Sequence, residues 1–70
     1  ALKADDLGRL RPALDALPVE QRRAVLLATI AGRTTREIGL IEGIPTPTAK
    51  TRLRTGLARL QAAVTREDGA

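Results

Sequence analysis

The sequence predicts an all-α fold, a small four-helix domain that contains a helix-turn-helix. The chain has 70 residues and no aromatic residue, so its single core must be built from Leu, Ile, Val and Ala. Apolar residues recur at helical spacing along most of the chain. Between Thr34 and Leu60, two helical runs are joined by a tight turn that contains a glycine. We expect residues 1–9 to be a linker from an upstream domain, residues 10–66 to form the helix-turn-helix domain, and residues 67–70 to fray.

Two helices are expected before the motif. The spacing of the leucines predicts a first helix over about Leu10–Ala16, with Pro12 in its first turn, where proline is tolerated. A second helix is expected over about Pro18–Ala31, with Pro18 at its first position and Gly32 just beyond its end.

These two helices carry apolar residues on more than one face. Leu10 and Leu14, near the start of the chain, have the fewest neighbours in sequence to cover them. We therefore expect an exposed aliphatic patch there, on the side away from Arg54, where a protein partner could dock.

The first helix of the motif has a start signal and a stop signal. Thr34 can act as the N-cap, and Glu37 can reach back to the amide of Thr34 to complete a capping box. Gly39 offers a flat position where a second helix can approach closely. Gly43 tolerates the positive φ that ends the helix, and Ile44 can fill the space between the two helices.

The second helix of the motif is amphipathic. Thr46 is the expected N-cap and Pro47 the expected first residue, where a missing N–H costs nothing. At about 100° per residue, its apolar residues fall within one arc of roughly 120°. The arc holds Ala49, Leu53, Gly56, Leu57, Leu60, Ala63 and Val64. The opposite face holds Pro47, Thr51, Arg54, Thr55 and Ala58, with Lys50 on one flank and Thr48, Arg52 and Arg59 on the other.

The distribution of charge favours a polyanionic partner. The net charge is +4 and the sequence pI is about 11.1. The second helix of the motif contains Lys50, Arg52, Arg54 and Arg59 and no acidic residue. Solvated helices usually mix the two signs, so a face of one sign indicates a nucleic-acid partner. Small threonines beside long basic side chains suit close approach to base edges that are flanked by phosphates.

The composition argues against an enzyme and against a metal or cofactor site. The chain contains no Cys, His, Ser, Tyr or Trp, which removes most nucleophile–base pairs and the usual zinc ligands. Asp5 and Asp6 form an adjacent acidic pair that is better explained as the start of a helix or the end of a linker. No stretch has the length of a membrane span or of a secretory signal, so we expect a cytoplasmic domain.

Three stretches together resemble a known family. LDALPVEQRRAVLL, GRTTREIGLIEGIP and TPTAKTRLRTGLARL, in this order, resemble the C-terminal promoter-binding domain (region 4) of bacterial sigma factors. The extracytoplasmic-function group is the most similar, and the resemblance covers about Leu10–Leu60. The family usually has Gly where Pro47 stands and Val where Ala49 stands, and it often has Arg where Thr55 and Leu57 stand. The matching positions are Leu17, Pro18, Gln21, Arg22, Val25, Leu26, Gly32, Thr34, Glu37, Ile38, Gly39, Ile44, Pro45, Thr48, Lys50, Thr51, Arg52 and Leu53.

The resemblance implies both partners and site residues. It implies binding to double-stranded promoter DNA at the minus-35 element, contact with the flap of the beta subunit of RNA polymerase, and an anti-sigma factor as a further partner. Arg52 lies nearest the apolar arc and could instead pair with an acid such as Glu37. The candidates for contact with base edges are Lys50, Thr51 and Arg54, those for phosphate contact are Arg33, Arg36, Thr48 and Arg52, and Thr55 joins them on the outward face.

Two other functions remain compatible with the pattern. The output domain of a response regulator shares the four-helix plan, but it usually has a hydrophobic residue or His after the lysine of the second motif helix, where this chain has Thr51 and Arg52. A helical adaptor that binds only protein is the second alternative. It would bind promoter DNA no better than it binds heparin.

Overall fold

Four helices make up the regular structure between residues 4 and 65. A computed structural model describes the backbone of residues 4–65 and the side chains of residues 8–65. The helices are α1 (Ala4–Asp15), α2 (Val19–Thr29), α3 (Thr35–Glu42) and α4 (Thr46–Thr65). Helix α4 packs against each of the other three, and α2 also packs against α3. The predicted all-α domain with a helix-turn-helix is confirmed, and α3 and α4 are the two helices of the motif.

Helix α1 begins earlier than its leucine spacing predicts. It starts at Ala4 rather than at Leu10, so Pro12 lies inside the helix and not in its first turn. A proline at this position cannot donate to the carbonyl of Gly8, but Gly8 is exposed and water can reach that carbonyl. Residues 4–9 are therefore helical, while a linker to an upstream domain stays a prediction. The side chains of Asp5 and Asp6 and the expected frayed tail at 67–70 lie outside the described residues.

Helix α2 begins one residue later and ends two residues earlier than predicted. Pro18 occupies the cap position in an extended conformation, and its carbonyl accepts the N–H of Arg22 at 2.9 Å. At the other end, Gly32 has a φ of 66°, and the N–H of Arg33 donates to the carbonyl of Leu27 at 2.9 Å. This left-handed glycine closes α2 and turns the chain directly into the cap of α3.

Helix α3 starts and ends as the sequence predicts. The N–H of Glu37 donates to the hydroxyl of Thr34 at 3.1 Å, and the N–H of Thr34 donates to the Glu37 carboxylate at 2.9 Å, which completes the capping box. Gly43 ends the helix with a φ of 68° in the left-handed region. Ile44 packs against the core between α3 and α4, as expected.

Helix α4 starts one residue earlier than predicted. The N–H of Ala49 donates to the carbonyl of Pro45 at 3.0 Å, so Pro45 holds the cap position, Thr46 is the first helical residue and Pro47 the second. The assignment of Thr46 as the cap is therefore wrong. Proline is also compatible with the second position, because the first-turn N–H groups have no partner within the helix.

The core is small and aliphatic. Leu57 is exposed although it belongs to the predicted apolar arc of α4, because it lies at the edge of that arc. The centre of the core is formed by Ala24, Ile38 and Ala49, with Leu27, Ala28, Ile44 and Leu53 packed against it. The other buried apolar residues are Ala13, Leu17, Val25 and Val64.

The exposed aliphatic patch lies elsewhere than predicted. Leu10 and Leu14 are half-buried, since α1 packs against α4. The large apolar side chains exposed among the described residues are Val19, Leu26, Ile30, Leu40, Ile41 and Leu57. Most of these belong to α2 and α3, so the surface available to a protein partner shifts to these two helices.

Two glycines allow close approach of the helices. A Cβ atom on Gly39 of α3 would lie 2.8 Å from the carbonyl oxygen of Ile44, in the turn before α4. A Cβ atom on Gly56 of α4 would lie 2.9 Å from Cγ2 of Val25 and 3.2 Å from the carbonyl oxygen of Gln21, both on α2. Helix α4 thus approaches α2 at a position with no side chain, and the turn before α4 approaches α3 at another.

Substitutions at Gly39 test the close approach. Gly39→Leu should lower the free energy of unfolding by about 1–3 kcal/mol through overpacking, measured by urea denaturation followed by circular dichroism. Gly39→Ala should cost less, because a gain of about 1 kcal/mol in helix propensity offsets part of the displacement of the Ile44 carbonyl. Gly8→Ala is the matched control, since no atom lies within 4 Å of the added Cβ, and it should stabilise α1. An unchanged urea midpoint for Gly39→Leu would contradict the packing described here.

Candidate nucleic-acid interface

All eight predicted site residues lie on the two helices of the motif or directly before α3. The turn from Gly43 to Pro45 sets α4 against α3, and the buried Ile38 and Ala49 hold the two helices together. Arg33 precedes the cap of α3, and Arg36 lies in its first turn. Arg33, Arg36, Lys50, Thr51 and Arg54 are exposed, whereas Thr48, Arg52 and Thr55 are half-buried.

The unpaired cations are concentrated in this motif. Among the described residues, the basic side chains before α3 all take part in a hydrogen bond or an ion pair, for example Arg9 with the carbonyl of Val64 and Arg11 with Asp15. Within residues 8–65, the basic side chains without such a partner are Arg36, Lys50, Arg52 and Arg54. The unpaired positive charge of the described residues is therefore concentrated on α3 and the first half of α4. An anionic partner can bind there.

The two acids of the motif are both engaged by arginines. The guanidinium of Arg23 donates to both carboxylate oxygens of Glu42 at 2.7 and 2.6 Å, and the Glu42 side chain is only 10% exposed. Hydrogen bonding by Arg23 holds the pKa of Glu42 below its ordinary value. The pKa of Glu37 is also lowered, chiefly by the hydrogen bond from the Thr34 backbone and further by Arg33, whose Nη1 atom lies 3.7 Å from the carboxylate. In the free domain, both carboxylates are therefore paired with an arginine.

Arg52 does not pair with Glu37. Glu37 is held by the capping box and by Arg33, and the carboxylate whose pKa Arg52 helps to lower is Glu42. Within the described residues, no hydrogen bond or ion pair joins Arg52 to Glu42, so the guanidinium of Arg52 keeps its donors free.

Two threonines of α4 are less available for hydrogen bonds to DNA than the sequence predicts. The hydroxyl of Thr51 donates to the carbonyl of Pro47 at 3.0 Å, so its proton is used within the helix. Thr55 was predicted to face outward, but it is half-buried next to Gly56, because α4 is covered by neighbouring helices on more than one side. Thr55 is thus less available to DNA than Thr51.

Sequence reasoning missed the contacts that link the motif to α2. Arg23 of α2 holds Glu42 at the end of α3, and Nη1 of Arg59 donates to Oε1 of Gln21 at 3.3 Å. These residues are 19 and 38 positions apart in the chain, so no local pattern reveals them. The one indication of the Arg23–Glu42 contact in the sequence was that Arg23 lies in a helix that also carries apolar residues.

Comparison with known proteins decides the family. The model of the family described as sigma-70, region 4, matches residues 7–60, which is most of the chain. The chain belongs to the sigma-70 region 4 family. A search of curated proteins and a search of solved structures gave no match.

Membership of this family settles the broad function. A sigma-70 region 4 domain recognises the minus-35 promoter element and helps to direct RNA polymerase to initiate transcription. The match therefore favours the sigma-factor interpretation over the output domain of a response regulator. Among the described residues of this region 4 domain, no helix is long and apolar enough to cross a membrane.

The lowered pKa values of Glu37 and Glu42 predict a dependence of stability on pH. Each carboxyl has a folded-state pKa below its ordinary value of 4.5, so the unfolded chain takes up protons first as the pH falls. The stabilisation is complete well above pH 4.5 and is lost as the pH falls through the folded-state values. Urea denaturation at a series of pH values should show this loss, and Glu42→Gln should make it smaller. Glu20→Gln, at an exposed position of α2, is the matched control and should leave more of the loss in place.

Proposed function

We propose that the exposed face of α4 reads the bases of the minus-35 element through Lys50, Thr51 and Arg54. The observation that supports this assignment is the concentration of unpaired cations on α3 and the first half of α4. In helix-turn-helix proteins, the first half of the second helix contacts base edges in the major groove. Lys50 and Arg54 are exposed, and Arg54 has the fork of donors that matches O6 and N7 of guanine.

The remaining site residues are proposed to contact phosphates. Arg36 is exposed on the first turn of α3, and Arg52 and Thr48 lie half-buried on the flank of α4, where a side chain reaches the backbone of DNA more readily than its bases. Arg33 can join them by exchanging its exposed ion pair with Glu37, which is 3.7 Å long and weak in water, for a phosphate. Thr55 contributes least, because it is half-buried.

Substitutions separate reading from positioning. Arg54→Ala should weaken binding to the preferred duplex by about 1–3 kcal/mol and broaden the preference at one or two base pairs. Thr48→Ala should weaken binding evenly across sequences, because a phosphate contact carries no base information. Both effects are measured by selecting bound sequences from random duplex DNA and by titrating the selected duplex.

Arg11→Ala is the matched control for the loss of charge. Arg11 is exposed on α1, outside the motif, and its ion pair with Asp15 is also exposed. This variant loses the same charge as Arg54→Ala, but it should keep the sequence preference of the parent chain. If Arg54→Ala kept the full preference as well, the assignment of the reading face would be wrong.

We further propose that the domain belongs to the extracytoplasmic-function group and acts in the cytoplasm. Support comes from the LPVEQR stretch before the motif and from the IPTPTAKTRL stretch at the start of α4. The positions that depart from the usual pattern of the group are Pro47, Ala49, Thr55 and Leu57. Ala49 is fully buried in the core, so its departure affects packing, whereas Pro47 lies on the exposed face and bears on recognition.

The contact with the polymerase flap is proposed to use an aliphatic groove between α2 and α3. The groove is lined by Arg23, Leu26, Leu27 and Ile41. A second depression, lined by Arg33, Glu37, Leu40 and Ile41, adjoins it at Ile41. Leu26, Leu40 and Ile41 are exposed, an arrangement that suits the apolar face of a partner helix. An anti-sigma factor that covered the same groove would compete with the polymerase.

Ile41→Asp tests the groove. Ile41 is 52% exposed, so the charge should leave the fold intact, as circular dichroism can check, while it abolishes binding to the flap and spares binding to duplex DNA. Val19→Asp is the matched control, because Val19 is 49% exposed but does not line the groove. Equal flap binding by the Ile41→Asp and Val19→Asp variants would place the docking surface elsewhere.

A further inference from the structure

The start of α4 presents hydrocarbon rather than hydrogen-bond donors between its cations. The hydroxyl of Thr51 has one proton, and it donates that proton to the carbonyl of Pro47 at 3.0 Å. Thr51 is nevertheless exposed. As long as this internal bond is kept, Thr51 has no donor for base atoms that accept, such as N7 or O6 of guanine. Its methyl group remains available for contact.

Pro47 adds an apolar ring to the same surface. It is the second residue of α4 and is exposed, and its ring nitrogen carries no hydrogen. The N–H groups of a helix's first turn have no partner within the helix and can bind a ligand, and Pro47 contributes none of them. Pro47 and Thr51 are four residues apart, so the ring and the methyl group are neighbours on one face of the helix. Arg54, three residues beyond Thr51, borders this small apolar surface.

The only apolar group that a base pair displays in the major groove is the C5-methyl group of thymine. We propose that Thr51 and the ring of Pro47 form a contact for the C5-methyl group of one thymine in the bound element. The inference rests on the proposed function, since it requires this face of α4 to lie in the major groove. It assigns to Thr51 a specificity for thymine that comes from its methyl group and not from its hydroxyl.

Deoxyuridine provides the direct test, because it lacks only the C5-methyl group. A duplex selected from a random pool is prepared with each thymine replaced in turn by deoxyuridine, and its affinity for the 70-residue chain is measured at low salt. One replacement should weaken binding about fourfold, as expected for one buried methyl group. Thr51→Val keeps the methyl group and should keep this response. Thr51→Ser loses the methyl group but keeps the Pro47 ring, so it should bind the thymine duplex more weakly and show a clearly smaller further loss with deoxyuridine than the parent chain.

Thr65→Ser is the matched control. The hydroxyl of Thr65 makes the same bond four residues back, to the carbonyl of Gln61 at 2.8 Å, but it lies at the opposite end of α4. This variant should respond to deoxyuridine like the parent chain, and circular dichroism checks that each variant is folded.

Several outcomes would overturn the inference. They are a selected site without a specified thymine, a parent chain that is insensitive to every deoxyuridine, and a Thr51→Ser variant that keeps the full response. If the chain shows a clear sequence preference in these cases, the proposed function stands and only the thymine contact fails. If no duplex is preferred over random DNA, the proposed function and the thymine contact fail together.

Discussion

The close packing of α4 is the constraint on which the rest of this small domain depends. Among the described residues, helix α4 packs against all three other helices. Because the core has no aromatic residues, it must gain its packing density from short distances between helices. Those distances are possible because Gly56 faces Val25 of α2, and Gly39 faces the turn that contains Ile44. Because this packing holds α4 closely, the helix presents its remaining face to solvent in a fixed orientation.

The charges follow from the same arrangement. The end of α3 approaches α2, and this places Glu42 within reach of both donors of Arg23, while the capping box and Arg33 engage Glu37. The two acids of the motif, Glu37 and Glu42, are therefore already paired with Arg33 and Arg23. The cations of α4 keep their charge for an external partner, which agrees with the promoter binding of the sigma-70 region 4 family. Folding and charge are linked here because the pairs that stabilise the motif also leave the exposed side of α4 positive.

Local sequence patterns predicted the helix-turn-helix well, but they did not predict contacts between residues that are far apart in the chain. The Thr34–Glu37 capping box and the left-handed Gly43 depend on residues within a few positions, and both are confirmed. The predicted start of α1 was wrong because the helix continues through Pro12, opposite an exposed Gly8. The exposed patch was also misplaced, since the burial of Leu10 and Leu14 depends on α4, more than thirty residues away. The Arg23–Glu42 pair has no local signature at all.

The dependence of duplex affinity on salt tests the central claim most directly. If Arg33, Arg36 and Arg52 bind phosphates and Lys50 and Arg54 bring further positive charge beside the DNA backbone, binding should release about three to four counterions, with a slope of about −3 to −4 in a plot of log affinity against log salt concentration. Replacing Arg36 or Arg52 by Ala should reduce the magnitude of the slope by about 1, whereas Arg11→Ala should leave it unchanged. A slope near zero with promoter duplex would contradict the account, because these cations would then not be the ones that bind DNA.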